Sequence, residues 1–342
     1  MTPIVLFGGA SDERHVSVAS GQNIAASLDA PLCWFWAPNG AVHDVAPDDL
    51  LRHENPFVAD YVPTRPAIWP DIEQALDTLP VEDPVFVLAL HGGEGEDGTL
   101  QRMMEKRGIA FTGSGSKASA NALDKSRAKE LVKARGVRVA EGTVVMPSEG
   151  SGRVVRAGRT PTGNGASLDV TNRRVVMKPL SGGSSRGLFF LDPRDAIPEV
   201  DVPYLIEEFI AGRELTIGVD EDLALPVIEI EVDPGRDFDY EGKYLGHGTR
   251  EICPAVIPDA MRDEAQRIAL VAHEAIGCEG YSRTDVIANA DGVWFIELNT
   301  LPGLTKASLV PRELAVAGIT MRDFLERQIT LAVRRQSRAP RS

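Results

Sequence analysis

The sequence has few cysteines, no long apolar run and no excess of basic residues, and each absence excludes a class of protein. The three cysteines, Cys33, Cys253 and Cys278, lie far apart and form no Cys-x-x-Cys pair, so neither disulfides nor a zinc site are expected. No apolar run approaches the roughly 18 residues of a membrane span, and the N-terminus reaches glycine and charge too early for a signal peptide. A formal net charge of −14 disfavours nucleic acid as the main partner, because backbone phosphates attract clustered lysine and arginine. We therefore expect a cytoplasmic protein without a membrane or nucleic-acid partner.

What is present is an ordinary globular composition whose N-terminal third alternates strands with helices. Of the 342 residues, 43% are hydrophobic and 25% are charged, which allows a large core and two or three domains. Residues 4–7 and 85–90 are apolar runs typical of buried strands, and each is followed by a glycine loop and a helical pattern. This alternation predicts a parallel sheet whose functional loops, with glycine pairs at 8–9 and 92–93, face one crevice.

The rest of the chain is predicted to begin with a helix and to continue with several strands. Residues 118–134 predict one helix, ended by Gly136, that leads into a second domain. Residues 148–174 predict a loop or a poorly packed hairpin, and residues 233–250 a long polar loop of the kind that is more often functional than idle. Residues 261–275 predict an amphipathic helix closed by Gly277. Strands are predicted over residues 175–177, 204–209, 214–219 and 225–232.

Residues 176–187, VMKPLSGGSSRG, place a lysine before a glycine-serine run. The backbone N–H groups of such a run can approach an anion closely, and the serine hydroxyls add further donors. Because Lys178 precedes the glycines, the run is not a P-loop. A phosphate-binding loop and a flexible surface turn are both open interpretations of these residues alone.

The densest group of polar side chains lies in residues 281–303, YSRTDVIANADGVWFIELNTLPG. Arg283 and Asp285 share one face of a predicted strand, and Glu297 and Asn299 share one face of the next. Oxygen ligands at this density favour Mg²⁺, whereas the alternative is a solvated strand face. The other face of the second strand is predicted to carry Trp294, Ile296 and Leu298.

The register between these two strands decides whether the two carboxylates meet. A two-residue Asp-Gly turn would place Asp285 opposite Leu298, away from the metal face. A three-residue loop, Ala290-Asp291-Gly292, or a β-bulge would place Asp285 opposite Glu297. We expect one of these two irregular connections.

A set of motifs in order from residue 8 to residue 312 resembles the D-alanine–D-alanine ligase family of the ATP-grasp superfamily. The motifs are GGASDERHVSVASG, LHGGEGEDGTLQ, FTGSGSKASANALDKSRAK, MKPLSGGSSRG, EEFIAGRELT, DYEGKYL, SRTDV and IELNTLPGLTKASLVPR. The resemblance implies an α/β fold, α+β in the ATP-grasp part, that begins with a Rossmann-like parallel sheet domain for substrate at residues 1–117. It implies a central ATP-grasp subdomain with the phosphate loop at residues 118–206. The C-terminal ATP-grasp subdomain, with the metal site and a lid loop, would span residues 207–342.

The same resemblance implies which residues bind ATP and metal. The implied nucleotide contacts are Lys125, Lys178, Ser184, Ser185 and Lys243 at the phosphates, Glu207, Glu208, Phe209 and Ile210 at the adenine hinge, and Glu214 at the ribose. The implied ligands of two Mg²⁺ ions, for which Mn²⁺ can substitute, are Asp285, Glu297 and Asn299, and Asn299 thereby also belongs to the nucleotide site.

The resemblance also implies an amino-acid site. Glu13 matches the carboxylate that binds the ammonium group of the first substrate, with His91 beside it, and Ser308 matches the hydroxyl that takes the carboxylate of the second. The oxyanion is stabilised in the family by residues matching Arg283 and the backbone of Gly303. Ser184 and the lid residue Tyr244 are expected to form a hydrogen-bonded set with Glu13. Tyr244, together with Leu309 next to Ser308, favours D-alanine over D-lactate and D-serine as the second substrate.

The leading hypothesis is an ATP-dependent ligase that joins two D-alanines through an acyl phosphate for peptidoglycan, and dimers are usual in such families. One alternative is an ATP-grasp ligase of secondary metabolism that makes a different dipeptide or cyclises one substrate. Another is a nucleotide-binding regulator, which would have no need of Arg283. Two departures from the family pattern leave room for the first alternative: residues 171–174 replace a short Gly-x-Pro, and the spacing from Asp285 to Glu297 is one residue shorter.

Overall fold

The N-terminal third forms a mostly parallel sheet in a computed structural model that describes residues 1–147, 160–161, 167–168, 173–182, 187–193, 195–232 and 249–338. Its strands are β1 (Thr2–Gly8), β2 (Leu32–Trp36), β3 (Val42–Val45), β4 (Pro84–Leu88) and β5 (Ala110–Phe111), and its helices are α1 (Arg14–Ser27), α2 (Pro47–Leu51), α3 (Ile72–Asp77) and α4 (Thr99–Lys106). The strand order is β3-β2-β1-β4-β5, and only the β2–β3 pair is antiparallel. The predicted Rossmann-like sheet is confirmed.

A helix break at Asp124 corrects the prediction of one helix over residues 118–134. The structure has α5 (Ser116–Leu123) and α6 (Lys125–Lys133) in its place. The Asp124 carboxylate accepts hydrogen bonds from the backbone N–H groups of Ser126 and Arg127, both at 3.0 Å. This N-cap satisfies donors that the start of a helix leaves open. Lys125 therefore becomes the first residue of α6.

The central sheet is small and antiparallel. It contains β6 (Gly142–Val145), β9 (Val175–Pro179), β10 (Phe189–Leu191) and β11 (Tyr204–Glu208) in the order β10-β9-β11-β6, and β7 (Thr160–Pro161) pairs separately with β8 (Ser167–Leu168). The strands predicted over residues 175–177 and 204–209 are confirmed. The core under this sheet is formed by Val145, Val175, Met177, Ile197, Tyr204 and Ile206.

The C-terminal sheet is larger and is covered on one face by a long helix, α7 (Asp259–Ile276), which ends at Gly277 as predicted. Its strands are β12 (Arg213–Asp220), β13 (Leu223–Ala224), β14 (Ile228–Val232), β15 (Thr249–Ile252), β16 (Tyr281–Asn289) and β17 (Gly292–Asn299). They run in the order β15-β14-β12-β16-β17, with β13 added on β12. The apolar stripe of α7 packs on β12, β16 and β17 through Ala265, Ile268, Ala269, Ala272 and Ile276.

The last two helices return to the N-terminal sheet. They are α8 (Leu309–Val316) and α9 (Met321–Arg338), and their residues Val310, Leu314, Phe324 and Leu325 are buried in the same core as β1 and β4. The C-terminal end of the chain is thus packed on the first domain, while the domain boundaries given above stay a prediction. None of the helices in the described ranges is long and apolar enough to cross a membrane.

The β16–β17 hairpin combines a two-residue turn with a β-bulge. Asn289 pairs with Gly292, so the turn contains only Ala290 and Asp291, and the predicted three-residue loop is wrong. The register then shifts between Asp285 and Val286, where Ile296 is the extra residue on β17. The predicted alternative, a bulge, is confirmed, and Asp285 lies opposite Glu297.

The bulge also changes which side chains share a face. Phe295 and Leu298 lie in the core under the sheet, whereas Ile296 lines the cleft on the opposite side. Trp294 pairs with Ile287, another residue of the cleft, and its ring stacks on Arg138 at 5.5 Å. The prediction that Trp294, Ile296 and Leu298 share a face is therefore wrong, because it assumed unbroken alternation along β17.

Candidate active site

A cavity of about 1130 Å³ lies between the central sheet, the C-terminal sheet and the loops of the N-terminal domain. This volume is slightly above the range of about 300–1,000 Å³ that is typical of sites for small molecules. Many of the predicted site residues line it, namely Glu13, Lys125, Lys178, Glu207, Glu208, Phe209, Ile210, Glu214, Asp285 and Glu297. The sheets thus bring together residues that are up to 284 positions apart, from 13 to 297.

One wall of the cavity carries a buried lysine cluster, which we define as Lys129, Lys178 and Glu207. Glu207 is only 3% exposed, and its two carboxylate oxygens lie 2.7 Å from the Lys129 and Lys178 ammonium groups, one lysine at each oxygen. Lys178 lies on β9 and Glu207 on β11, two paired strands, while Lys129 reaches the same point from α6. The three side chains form one compact, nearly water-free group.

Burial and neighbouring charge act in opposite directions on these groups. Burial alone would raise the pKa of Glu207, but the two ammonium groups outweigh it and lower that pKa. Burial lowers the pKa of Lys129 to about 8, and Glu207 opposes the fall. At Lys178 burial also favours the neutral form, but the carboxylates of Glu207 and Glu297 outweigh it and raise the pKa. Near neutral pH the cluster holds two positive charges and one negative charge.

Lys125 connects this wall with the metal-binding candidates. Its ammonium group donates a hydrogen bond of 2.5 Å to the backbone carbonyl of Gly182 and lies 3.6 Å from the Glu297 carboxylate. Gly182 belongs to the glycine-serine run that follows Lys178. The Lys125 side chain therefore connects the start of α6 with the beginning of this run and with β17.

The facing wall carries an arginine–carboxylate cluster, which we define as Arg283, Asp285 and Glu297. Arg283 donates two hydrogen bonds to the Asp285 carboxylate, at 2.9 and 2.8 Å, and the Thr216 hydroxyl donates a third at 2.6 Å. Arg283 and Asp285 are both 7% exposed. In the β16–β17 ladder Asp285 pairs with Glu297 and Arg283 with Asn299, so these side chains project from the same face of the sheet.

The donor set on this wall suits Mg²⁺. It offers two carboxylates and, beside them, the amide of Asn299, whose oxygen also accepts a hydrogen bond of 2.8 Å from the backbone N–H of Leu301. Mg²⁺ is typically held by one or two carboxylates together with substrate phosphates and water. Within the described part of the chain, no group of three or more His, Cys, Asp or Glu side chains is arranged to hold a metal by itself. A metal bound to these described residues would have coordination positions left for phosphate oxygens or water.

The loops after β1 and β4 form the predicted amino-acid end of the cleft. The Ser11 hydroxyl donates a hydrogen bond to the His91 carbonyl, which joins the two loops. The His91 ring is buried, with Nε2 at 3.1 Å from the Ser20 hydroxyl and Nδ1 at 3.7 Å from the Glu96 carboxylate. Glu13 precedes α1 and lies close to Gly92, where a Cβ atom would come within 3.0 Å of its carboxylate. The prediction that the two glycine loops face one crevice is consistent with this contact.

The segment between β17 and α8 brings the remaining predicted residues together. A Cβ atom at Gly303 would lie 2.7 Å from the Ser308 hydroxyl, which itself lies 2.7 Å from the Thr305 hydroxyl. Leu309 is buried against Ile228 and Ile230 of β14, and of these three residues only Ile230 is among the described residues that line the cavity. The residues Ser184, Ser185, Lys243 and Tyr244 lie outside the described residues, as do most of residues 148–172 and all of the lid segment 233–248.

Two residues of this site were not predicted from the sequence. Lys129 lies one helical turn after Lys125, inside the quoted DKSRAK motif, and this i,i+4 spacing was the available signal. Thr216 faces Asp285 across the β12–β16 ladder, and only the strand pairing identifies it.

The chain is similar to known ligases over most of its length. The family model described as the D-ala D-ala ligase N-terminus matches residues 2–114, and the model of the D-ala D-ala ligase C-terminus matches residues 170–330. A D-alanine--D-alanine ligase of Paramagnetospirillum magneticum is 38% identical over 332 residues, covering 94% of this chain and 95% of the relative. A D-alanine--D-alanine ligase of Syntrophobacter fumaroxidans is 35% identical, covering 97% of this chain and 98% of the relative.

Solved structures show the same fold. The D-alanine--D-alanine ligase of Bacillus anthracis has a TM-score of 0.72 at 25% identity and covers 98% of this chain and 99% of its own. The VanG D-Ala:D-Ser ligase of Enterococcus faecalis has a TM-score of 0.74 at 25% identity, covering 97% of this chain and 99% of its own.

Proposed function

Since this chain belongs to the D-alanine–D-alanine ligase family, we propose that it uses ATP to join two D-alanine molecules into D-alanyl-D-alanine, a peptidoglycan precursor. The observation that carries the proposal is the meeting of a lysine cluster and an arginine–carboxylate cluster across one cavity. Cations at one wall suit the phosphates of ATP, and oxygen ligands at the other suit the metal that accompanies them.

The reaction would proceed in two steps. The carboxylate of the first D-alanine attacks the γ-phosphorus of ATP, the bond to ADP breaks, and an acyl phosphate forms. The amine of the second D-alanine then attacks the acyl carbon, loses a proton, and displaces inorganic phosphate. Lys125 and Lys178 would hold the phosphates, and Arg283 with the Gly303 backbone would stabilise the oxyanion of the second step.

Mg²⁺ would be held by Asp285, Glu297 and Asn299 together with ATP oxygens, and Mn²⁺ could replace it. When bound, it would neutralise phosphate charge. The adenine would lie at the hinge formed by residues 207–210 and the ribose near Glu214. The buried position of the Glu207 carboxylate between two lysines supports a different part for its side chain, which is to orient Lys178.

Glu13 and His91 would bind the first amino acid, and Ser308 and Leu309 the second. Ser184 and Ser185 in the phosphate loop, and Lys243 and Tyr244 in the lid, would complete the site. We further propose that the protein acts in the cytoplasm, where ATP is available, and that it forms a homodimer.

The test is phosphate release from ATP by the purified full-length protein, with D-alanine, D-serine, D-lactate and a panel of single L- and D-amino acids. We expect release that requires D-alanine and Mg²⁺, stops on addition of EDTA, and yields D-alanyl-D-alanine by mass spectrometry. Release with one non-alanine compound alone would support the cyclising alternative. Nucleotide binding without release for any substrate would support the regulator, and either result would contradict the proposal.

A further inference from the structure

We propose that Lys129 is a positioning residue of the nucleotide site: it balances the charge of Glu207, so that the Lys178 ammonium stays available to the phosphates. This inference rests on the proposed use of ATP. The evidence is the arrangement of three buried charges in one contact group, with Glu207 at its centre and a lysine 2.7 Å from each of its oxygens.

Lys129 acts through another residue, because it does not reach the cavity. Lys178, Glu207 and Lys125 line the cavity, whereas Lys129 is absent from the described residues that line it. Its ammonium group donates a hydrogen bond of 3.3 Å to the Phe295 carbonyl of β17 and lies 6.0 Å from the centre of the Phe295 ring. Lys129 is thus fixed behind Glu207, between α6 and the C-terminal sheet.

Burying a second lysine ammonium at this place has a desolvation cost. A single buried pair of Lys178 and Glu207 would satisfy both charges and would be electrically neutral. The second lysine raises the net charge of the cluster from zero to plus one. Lys178 is the cation of the cluster that lines the cavity, so this net positive charge acts there through Lys178. A polyanion that enters the cavity then meets a cation that Glu207 does not fully neutralise.

The sequence spacing supports a shared purpose for the two lysines of α6. Lys125 and Lys129 are four residues apart on one helix and face the same side. Lys125 approaches the cavity near Gly182 and Glu297, while Lys129 approaches the back of the same wall. Lys133, four residues further on, is exposed and provides a matched control on the same helix.

The first experiment measures ADP binding to the full-length protein by titration calorimetry, in the presence of Mg²⁺, for wild type, Lys129→Met, Lys129→Arg and Lys133→Met. We expect the dissociation constant for ADP to rise about tenfold or more in Lys129→Met, because the remaining Glu207–Lys178 pair is neutral. Lys129→Arg keeps the charge and should stay within about threefold of wild type, as should Lys133→Met. In steady-state assays KM for ATP should rise much more than kcat falls.

The second experiment is a double-mutant cycle with Glu207. In a Glu207→Gln background there is no charge to balance, so adding Lys129→Met should change the ADP dissociation constant by less than about twofold. A merely structural Lys129 would weaken binding equally in both backgrounds, and that result would overturn the proposal. A folded Lys129→Met protein with unchanged ADP affinity would overturn it as well.

Folding is checked by circular dichroism and thermal melting of every variant. Should Lys129→Met not fold, the Lys129→Met/Glu207→Gln protein carries the test, because it contains no uncompensated carboxylate; affinity more than twofold below that of Glu207→Gln alone would contradict the proposal. Wild-type protein that neither binds ADP nor releases phosphate would contradict the proposed function itself. Wild-type binding with no effect of Lys129→Met contradicts only this inference.

Discussion

The lysine cluster and the arginine–carboxylate cluster each contain three charged side chains, but their net charges have opposite signs. In the lysine cluster two cations share one carboxylate, Glu207, so the surplus is positive. In the arginine–carboxylate cluster one arginine is paired with Asp285 while Glu297 lies beside it across the ladder, so the surplus is negative. Lys125 lies between the two and approaches Glu297. Under the proposed function the first cluster would face a polyanion, the phosphates of ATP, and the second would hold a metal ion.

This difference predicts that one cluster supports binding and the other supports chemistry. We expect Arg283→Ala to lower the rate of phosphate release in the presence of D-alanine by about 10³-fold, because a preorganised cation at a developing oxyanion is lost. The dissociation constant for ADP should change less than about threefold. The exposed Arg267→Ala on α7 is the control. Unchanged turnover, or a loss of ADP binding as large as the loss of rate, would remove the distinction between the clusters.

The reverse outcome is expected at the other wall. Lys178→Met should weaken ADP binding about 30-fold, since a buried cation that faces the cavity is removed and Glu207 remains. KM for ATP should rise accordingly, with a smaller change in kcat. Lys106→Met, an exposed lysine on α4, serves as the control in the same calorimetric titration. Normal ADP affinity in a folded Lys178→Met protein would show that the phosphates bind elsewhere.

His273 shows the effect of burial on the pKa of a side chain when burial is the main influence. Its Nδ1 lies 2.7 Å from the Ser282 hydroxyl, and burial lowers its pKa to about 4. Below about pH 6.5 the unfolded chain binds a proton at this ring, whereas the folded chain does not until the pH approaches 4. The free energy of unfolding contributed by the neutral ring is therefore fully present above about pH 6.5 and is lost as the pH falls toward 4.

In urea unfolding, the wild type should lose about 2 kcal/mol relative to His273→Gln between pH 7 and pH 5. Gln266→Ala on the same helix is the control, because it removes no titratable group. A free-energy difference between wild type and His273→Gln that is independent of pH would contradict the assignment.

The smallest expected effect concerns the second amino acid. Leu309 is buried against Ile228 and Ile230, so it can pack on a methyl group but offers no partner to a hydroxymethyl group. With D-alanine and D-serine at equal concentration, we expect D-alanyl-D-alanine to be favoured about tenfold or more. Leu309→Thr should reduce that ratio several-fold, and Val316→Thr at the exposed end of α8 should not. Product masses report the ratio, and a D-serine product in excess from wild type would contradict the role of Leu309.

Those parts of the fold that depend on strong local patterns were predictable. The apolar runs at residues 4–7 and 85–90 identify buried parallel strands because both faces of the sheet are covered. The period of α7 and its closing Gly277 gave a helix with both ends nearly right. The pairing of Asp285 with Glu297 was also predictable. At this spacing a regular two-residue Asp-Gly turn would separate the two carboxylates, so an irregular connection was expected.

Other features depend on tertiary contacts that no short pattern records. The break at Asp124 interrupts a helical pattern without glycine or proline: Asp124 caps Ser126 and Arg127, and the Lys125 N–H donates a hydrogen bond to the distant Leu180 carbonyl. Lys129 and Lys133 are the same residue type on one helix, and only the tertiary contacts of Lys129 with Glu207 and Phe295 distinguish the buried lysine from the exposed one. The position of the bulge at Ile296 depends on which side chains the two faces of the sheet can accommodate. The spacing of Asp285 and Glu297 therefore predicted an irregularity in the hairpin but not the residue at which it occurs.

The bulge at Ile296 bears on how insertions and deletions in this hairpin should be understood. Deletion of one residue between Asp285 and Glu297 would place every later side chain of β17 on the opposite face of the sheet, unless a bulge compensates for the missing residue. Here the extra residue of the bulge, Ile296, directly precedes Glu297, and Asp285 still pairs with Glu297. A bulge of this kind allows the length of a hairpin to differ by one residue while two facing side chains stay paired. A one-residue gap in an alignment of this hairpin is therefore not by itself evidence that the carboxylates at positions 285 and 297 have moved apart.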